Sequence, residues 1–331
     1  MKTLDNHIKN KNFSNIYLIF GEEEYLKNTY EKKLISSIVN ENFKMMNFDI
    51  FEGKSFNISE VIDACDTMPF MNEYRLVILK NTGLIYDGRK DDTAKLEQYL
   101  HNIPKTTIIT FIEEKIDKKL KIFKTIHSIG TTHQIDIPSE NQLVSWILNV
   151  FKDNNKDIST KEALYIIRNI SSNMEIILNE INKLISYKNS TDKITIKDID
   201  NICTKSVESK IFDLINFMAN KDMKNAIKMY KNLINNKTSP FIILNMISRQ
   251  FRIILQTKYL YNKNYNINSI ASKLGLRDFI VKEALNHSKN FSIKILLQAI
   301  NECLEIDNKI KTGQSTDEIA VELLIIKYTT L

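Results

Sequence analysis

The residues best placed to do chemistry follow a strongly apolar pentapeptide. Ile16-Tyr17-Leu18-Ile19-Phe20 runs directly into Gly21-Glu22-Glu23-Glu24-Tyr25-Leu26-Lys27. A strand, a glycine turn and a helix start form the arrangement that holds nucleotide phosphates, because backbone N–H groups there face the anion. Such a loop needs several glycines for close backbone approach and a Gly-Lys-Ser/Thr ending. This one has a single glycine and no such ending, and its three carboxylates would repel a polyphosphate. Gly21, Glu22, Glu23 and Glu24 therefore read as a degenerate, non-binding phosphate loop. The apolar run Ile108 to Ile112 ends in Glu113-Glu114, like a strand whose acids hold magnesium through water. Without a phosphate loop, a solvated strand end is the expected reading.

No catalytic or metal set stands out elsewhere. The five histidines (7, 101, 127, 133 and 287) never fall at ligand spacing with a cysteine or carboxylate pair, so no metal site is expected. Cys65, Cys203 and Cys303 are far apart and form no Cys-x-x-Cys pair, which suits a reducing cytoplasm. No catalytic residue and no cofactor is assigned, and the chain is not expected to be an enzyme on its own.

Two stretches suggest binding. Residues 267–286 have the spacing of helix, glycine turn and helix, as a DNA-binding helix-turn-helix would. The second helix opens on Arg277-Asp278-Phe279-Ile280-Val281, too apolar to read base edges, so a packing hairpin is expected, with a DNA-binding regulator as the alternative. The other stretch is Asp66-Thr67-Met68-Pro69-Phe70-Met71-Asn72-Glu73-Tyr74. Pro69 stops the preceding helix and leaves Met-Pro-Phe-Met in a turn, where polar residues are usual. Phe70 and Met71 either cap their own core or serve as a plug for another protein.

The elements that must position these residues change character along the chain. Residues 1–140 alternate strand-like and helix-like patterns: strands Ile16 to Phe20, Met46 to Phe51, Arg75 to Leu79, Thr106 to Ile112 and Thr132 to Ile137. Between them fall helices Glu22 to Val39, Ser59 to Asp66 (Ser59 as N-cap), Ala94 to His101 and Lys118 to Ile129. Alternation of this kind implies a mostly parallel sheet. After Pro138 the strand signal disappears and helices follow to the end. The expected fold class is α/β plus all-α, with domains at 1–140, 141–208 and 209–331.

Composition agrees with a soluble globular chain of 331 residues with 43% hydrophobic and 26% charged residues. No uninterrupted apolar stretch is long enough to span a membrane, and Met1 to His7 has no apolar core of a secretory signal. The net charge of +6 is uneven. Residues 209–331 hold 18 Lys and Arg against 10 Asp and Glu, whereas residues 1–140 hold 19 against 21. Such an excess belongs to a solvated lysine-rich surface or to a neighbour of nucleic acid or an acidic partner.

Taken in order, several motifs resemble one family, the delta subunit of the bacterial DNA polymerase III clamp loader. They are Tyr17 to Glu23 with Tyr25-Leu26; Thr67 to Val77, close to a family pattern Thr-x-Pro-Leu-Phe-Gly-x-x-Arg-Leu-Val; and three C-terminal pieces. The last are Arg249-Gln250-Phe251-Arg252, then Ala271 to Leu276 with Val281 to Leu285, and Lys309 to Gln314. The resemblance spans essentially the whole chain. It implies an AAA+ architecture: a RecA-like domain (1–140), a small helical lid (141–208) and a C-terminal helical collar (209–331). It further implies a subunit that binds the beta sliding clamp and holds its ring open for loading onto primed DNA, while partner subunits bind and hydrolyse ATP. Those partners, of the gamma/tau and delta-prime type, would join through the collar. By position, Phe70 and Met71 after Pro69 match the apolar pair that enters the clamp, and Arg75 matches the arginine that positions the loop. The chain departs from the pattern with Phe-Met for Leu-Phe and Asn72 for glycine.

Overall fold

The computed structural model describes residues 2–86, 89–188, 193–313 and 316–330. Gln314, the last residue of one family motif, lies outside them. The chain divides into two compact units, Met1–Ser139 and Glu140–Leu331.

The first unit is a parallel sheet covered on both faces. Its strands are β1 (Ile16–Phe20), β2 (Phe48–Glu52), β3 (Arg75–Lys80), β4 (Thr107–Glu113) and β5 (Thr131–Gln134), in the order β2-β3-β4-β1-β5. Every pairing is parallel. The helices are α1 (Lys2–Asn10), α2 (Glu24–Ile38), α3 (Lys44–Asn47), α4 (Ile58–Asp66), α5 (Lys90–Tyr99) and α6 (Lys121–Ile129). Alternate strand residues point to opposite faces. Leu18, Val77, Leu79 and Phe111 pack with Val61, Leu96 and Ile126 on one side. Tyr17, Ile19, Leu76 and Ile78 pack with Leu4, Tyr30 and Leu34 on the other.

Several boundaries differ from the sequence reading for identifiable reasons. Strand β2 begins at Phe48, not Met46, because residues 44–47 coil into α3, with the Asn47 side chain donating to the Phe43 carbonyl at 3.0 Å. The N-cap of α4 is Asn57, not Ser59; its side chain accepts from the Ser59 N–H at 3.0 Å. Helix α6 starts at Lys121, since Asp117 first holds a turn by accepting from the Lys119 N–H at 2.8 Å. Helix α1 was not anticipated; its Leu4 and Ile8, one helical turn apart, pack on the sheet.

The second unit is helical throughout. Helices α7 (Glu140–Asp153), α8 (Thr160–Asn169), α9 (Met174–Tyr187) and α10 (Ile196–Ile202) come first. Thr195 and Asp198 form a capping box at the start of α10. Then follow α11 (Val207–Ala219), α12 (Met223–Asn235), α13 (Pro240–Asn262), α14 (Ile267–Leu274), α15 (Asp278–Ser288), α16 (Ile293–Lys311) and α17 (Asp317–Thr330). Ile211 and Leu214, Tyr230, Ile247 and Phe251, Leu296 and Leu324 converge in one core from five of these helices. The Phe251 ring meets Phe291 and Tyr328 at centroid distances of 5.7 and 5.8 Å. The structure is therefore an α/β unit followed by an all-α unit.

Candidate protein-docking site

The turn between α4 and β3 is built from both ends. Helix α4 closes at Thr67, whose N–H and hydroxyl both donate to the Asp63 carbonyl, at 3.1 and 2.7 Å. At the far end the Arg75 N–H donates to the Thr106 carbonyl at 2.9 Å, entering the sheet. Between these anchors the apolar side chains point outward. Met68 is 84% exposed, Phe70 50% and Met71 72%. Met45, on α3, is 98% exposed. Clustered exposed apolar side chains of this kind mark interaction surfaces.

A residue that the sequence reading missed holds the turn in shape. Asn47 is fully buried, and its amide grips the Phe70 backbone at two points. The Phe70 N–H donates to Asn47 Oδ1 at 2.6 Å, and Asn47 Nδ2 donates to the Phe70 carbonyl at 2.8 Å. Phe43 meets the Phe70 ring edge-on at 5.7 Å, which leaves Phe70 half-supported and half-offered. Met71 follows with φ of +51°, in the left-handed region that side chains normally avoid. Asn72 then donates to the carbonyls of Ile38, at 3.0 Å, and Tyr74. A glycine at 72 could make neither of those side-chain bonds. Read as an alternating strand, residues 46–51 put Asn47 on the polar face; its partner 23 positions away was not visible.

Arg75 acts one step further back. Its buried guanidinium donates to the Met46 carbonyl and to the Asp49 carboxylate. It thus fastens the α3–β2 corner, the platform from which Asn47 reaches the turn. Thr107 donates its hydroxyl to the Cys65 carbonyl at 2.7 Å and ties the end of α4 to β4. Pro69 sits at intermediate exposure between the Thr67 cap and the gripped Phe70.

The glycine loop after β1 is a packed corner. Gly21 has φ of +131°, and a Cβ there would lie 2.1 Å from the Ile135 carbonyl oxygen. Its N–H donates to the Glu113 carbonyl at 3.1 Å. Glu23 caps α2 by accepting from the Tyr25 N–H, and Glu24 pairs with the buried Lys27 ammonium at 2.9 Å. Glu22 is exposed. Glu113 departs from the expected solvated strand end. It is buried, and accepts from the Thr82 N–H at 3.0 Å and the Thr82 hydroxyl at 2.7 Å. Burial pushes its carboxyl above the usual range, with those hydrogen bonds and Lys27 opposing. Its neighbour Glu114 stays exposed. Among the described residues no group of three or more His, Cys, Asp or Glu could hold a metal ion.

The helix-turn-helix spacing is the packing hairpin the sequence suggested. Gly275, at φ of +62°, closes α14, and Ile270 and Ala271 pack on Val281 of α15. The face expected to read bases is occupied. Arg277 donates to the Ser172 carbonyl at 3.4 Å, and the Arg168 guanidinium lies 5.7 Å from the Phe279 ring.

The same architecture occurs in known proteins. Two family descriptions match: "DNA polymerase III, delta subunit" over residues 17–136 and "DNA polymerase III delta subunit, C-terminal domain" over residues 208–328. The chain is 27% identical over 319 residues to DNA polymerase III subunit delta of Bacillus subtilis, covering 94% of this chain and 92% of that one. It is 23% identical to the subunit of the same name from Buchnera aphidicola, covering 91% and 88%. The solved structure of the Bacillus subtilis DNA clamp loader delta protein superposes with a TM-score of 0.75 at 26% identity, covering 100% of this chain and 99% of that one. With matches in both units and along nearly its full length, the chain belongs to the DNA polymerase III delta subunit family.

Proposed function

We propose that the chain is the clamp-binding, non-hydrolysing subunit of a clamp loader, and that Phe70 and Met71 are the side chains it inserts into the beta sliding clamp. One observation carries this reading. Two large apolar side chains stand exposed on a turn whose backbone is held rigid by Asn47. A protein gains nothing alone from displaying them, whereas burial in a partner's pocket is worth roughly 1.5–3 kcal/mol for each. Pre-ordering the turn avoids an entropy cost on association. Pro69 fixes the entry to the turn, and Arg75 positions it through the α3–β2 platform. Phe70 is already edge-on to Phe43, so Met71, the freer and more adaptable side chain, is the one to reach deeper.

On this reading the ring opens by differential affinity: the chain shifts the clamp toward the open state only as far as it binds that state better. ATP work falls to partner subunits of the gamma/tau and delta-prime type. A single packed glycine, a helix cap at Glu23 and a Lys27 engaged with Glu24 support that division, because none is free to cradle phosphate. In AAA+ terms residues 1–140 are the RecA-like domain, 141–208 the lid and 209–331 the collar that joins those partners, with the loaded ring placed on primed DNA in the cytoplasm. The test is calorimetry of the full chain with its sliding clamp, without nucleotide. Wild type binds, and Phe70→Ala/Met71→Ala loses at least 100-fold in affinity while its melting temperature is kept. Equal affinity of the two would remove the site.

A further inference from the structure

A cavity of about 250 Å³ opens on the first unit between α5 and α6. Its origin lies in the residues that α5 turns to it. Lys90, Thr93, Ala94, Glu97 and Gln98 recur at i, i+3, i+4, i+7 and i+8, so they share one face of the helix. The two helices are tied at Glu97, which is buried and accepts from the Thr125 hydroxyl at 2.8 Å and the Lys121 ammonium at 3.0 Å. Upstream of that tie α5 offers the small side chains Thr93 and Ala94, and Thr93 commits its hydroxyl to the Leu84 carbonyl at 3.0 Å. The space left open is floored by Leu84, Leu120 and Ile122, of which Leu84 and Ile122 are each 1% exposed.

One wall of this cavity carries a donor without an acceptor. Arg89, which precedes α5, is held firmly: its Nε donates to the Asp92 carboxylate at 3.0 Å and its Nη2 to the Phe56 carbonyl at 2.8 Å. Its guanidinium carbon lies 4.4 Å from the Phe56 ring centroid. Among the described residues its Nη1 has no hydrogen-bond partner, although that atom is buried. A buried charged donor left unpaired is costly, so the arrangement calls for an acceptor. Lys90 lines the same cavity, is exposed and makes no ion pair with a described carboxylate. Helix α6 begins there too, at Leu120 and Lys121, and no side chain caps it. The negative charge in the wall is already answered, since Glu97 pairs with Lys121.

We propose that this cavity binds a carboxylate carried on a small branched apolar group, as an N-acyl amino acid or the last residue of a peptide carries one. The carboxylate accepts from Arg89 Nη1 beside Lys90 and the uncapped start of α6, and the apolar group covers Leu84, Leu120 and Ile122. Guanidinium and carboxylate match in shape as well as in charge. A phosphate would meet the cations but leave the apolar floor wet, and its second charge would face Glu97. A neutral apolar group would cover the floor and leave Nη1 unpaired. No residue of the turn at 66–74 lines the cavity, so the site does not rest on the clamp reading.

The test is a titration of the full-length chain followed by the amide NMR shifts of Ala94, Gln98 and Lys121. N-acetyl-L-leucine moves them saturably, with the millimolar dissociation constant expected of so small a ligand. N-acetyl-L-leucinamide, which lacks the charge, and N-acetylglycine, which lacks the branched group, each bind about 10-fold or more weakly. Arg89→Gln weakens the acid to the level of the amide. Because Arg89 also holds the Phe56 carbonyl, a second variant leaves it in place: Ala94→Phe fills the cavity from an exposed position and removes the shifts at an unchanged melting temperature. The tetrapeptide Gly-Ser-Gly-Leu separates the two sources. Binding about 10-fold or more tighter than N-acetyl-L-leucine assigns the site to a peptide terminus, and equal binding assigns it to a free acid. No saturable shift, equal shifts from the amide or from inorganic phosphate, or shifts that persist in Ala94→Phe would each overturn the site.

Discussion

Asn47→Ala is the perturbation that separates a displayed side chain from a positioned one. Asn47 touches no partner; it is buried beneath the turn. Its amide makes three hydrogen bonds: 2.6 Å from the Phe70 N–H, 2.8 Å to the Phe70 carbonyl and 3.0 Å to the Phe43 carbonyl. At roughly 0.5–1.5 kcal/mol net for each, alanine removes about 2–4 kcal/mol of local stability. Both apolar cores of the sheet are untouched, so the chain stays folded with a lower melting temperature. The freed turn must then be ordered on binding. Refixing the backbone of Phe70 and Met71 costs about 1–2 kcal/mol per residue, which predicts roughly 30- to 1,000-fold weaker clamp binding. Calorimetry with the sliding clamp measures it, and a double-mutant cycle tests the cause. In the Phe70→Ala/Met71→Ala background, Asn47→Ala should add less than about 0.5 kcal/mol to the binding loss, since nothing is left to position. Wild-type affinity for Asn47→Ala, or full additivity with the apolar pair, would refute the argument.

Two further outcomes test the unit that carries the turn. Gly21→Ala forces a Cβ to within 2.1 Å of the Ile135 carbonyl at a φ of +131°, so unfolding stability should fall by about 2–4 kcal/mol in urea titrations; a loss under 0.5 kcal/mol would contradict the packed-corner reading. Burial lowers the pKa of His133, on β5, to about 4, with weaker help from nearby positive charge. The folded chain therefore keeps it neutral where the unfolded chain takes a proton, and the stability it contributes above about pH 6.5 is lost as pH falls toward 4. Between pH 7 and pH 5 the loss is about 2 kcal/mol, and His133→Gln should flatten that slope; an unchanged slope would assign acid sensitivity elsewhere.

Much of the architecture was legible because it rests on local periodicity. The buried runs Ile16–Phe20 and Arg75–Lys80 appear where apolar spacing puts them, and every element described after Pro138 is helical, as the loss of the strand pattern there implies. The errors cluster where a side chain outweighs the pattern. Arg75 and Asn47 bend residues 44–47 into a helix where alternation of Met46, Phe48 and Ile50 reads as strand. Glu113 looked like a solvated acid because nothing local reveals that Thr82 will arrive to donate to it.

The sequence by itself determined a parallel α/β unit, a helical remainder, a turn after β1 with a single glycine and no Gly-Lys-Ser/Thr ending, and a proline-bounded apolar pair at residues 70 and 71. Each depends on residue type and short spacing. Only the tertiary structure decided whether that pair faces inward or outward, because the answer lies in contacts between residues distant in the chain. Asn47 takes both backbone groups of Phe70 from 23 positions away, Asn72 ties back to Ile38, and Arg75 to Asp49. With its backbone bonds satisfied from below, the turn has nowhere to bury Met71, and its side chain is left to solvent.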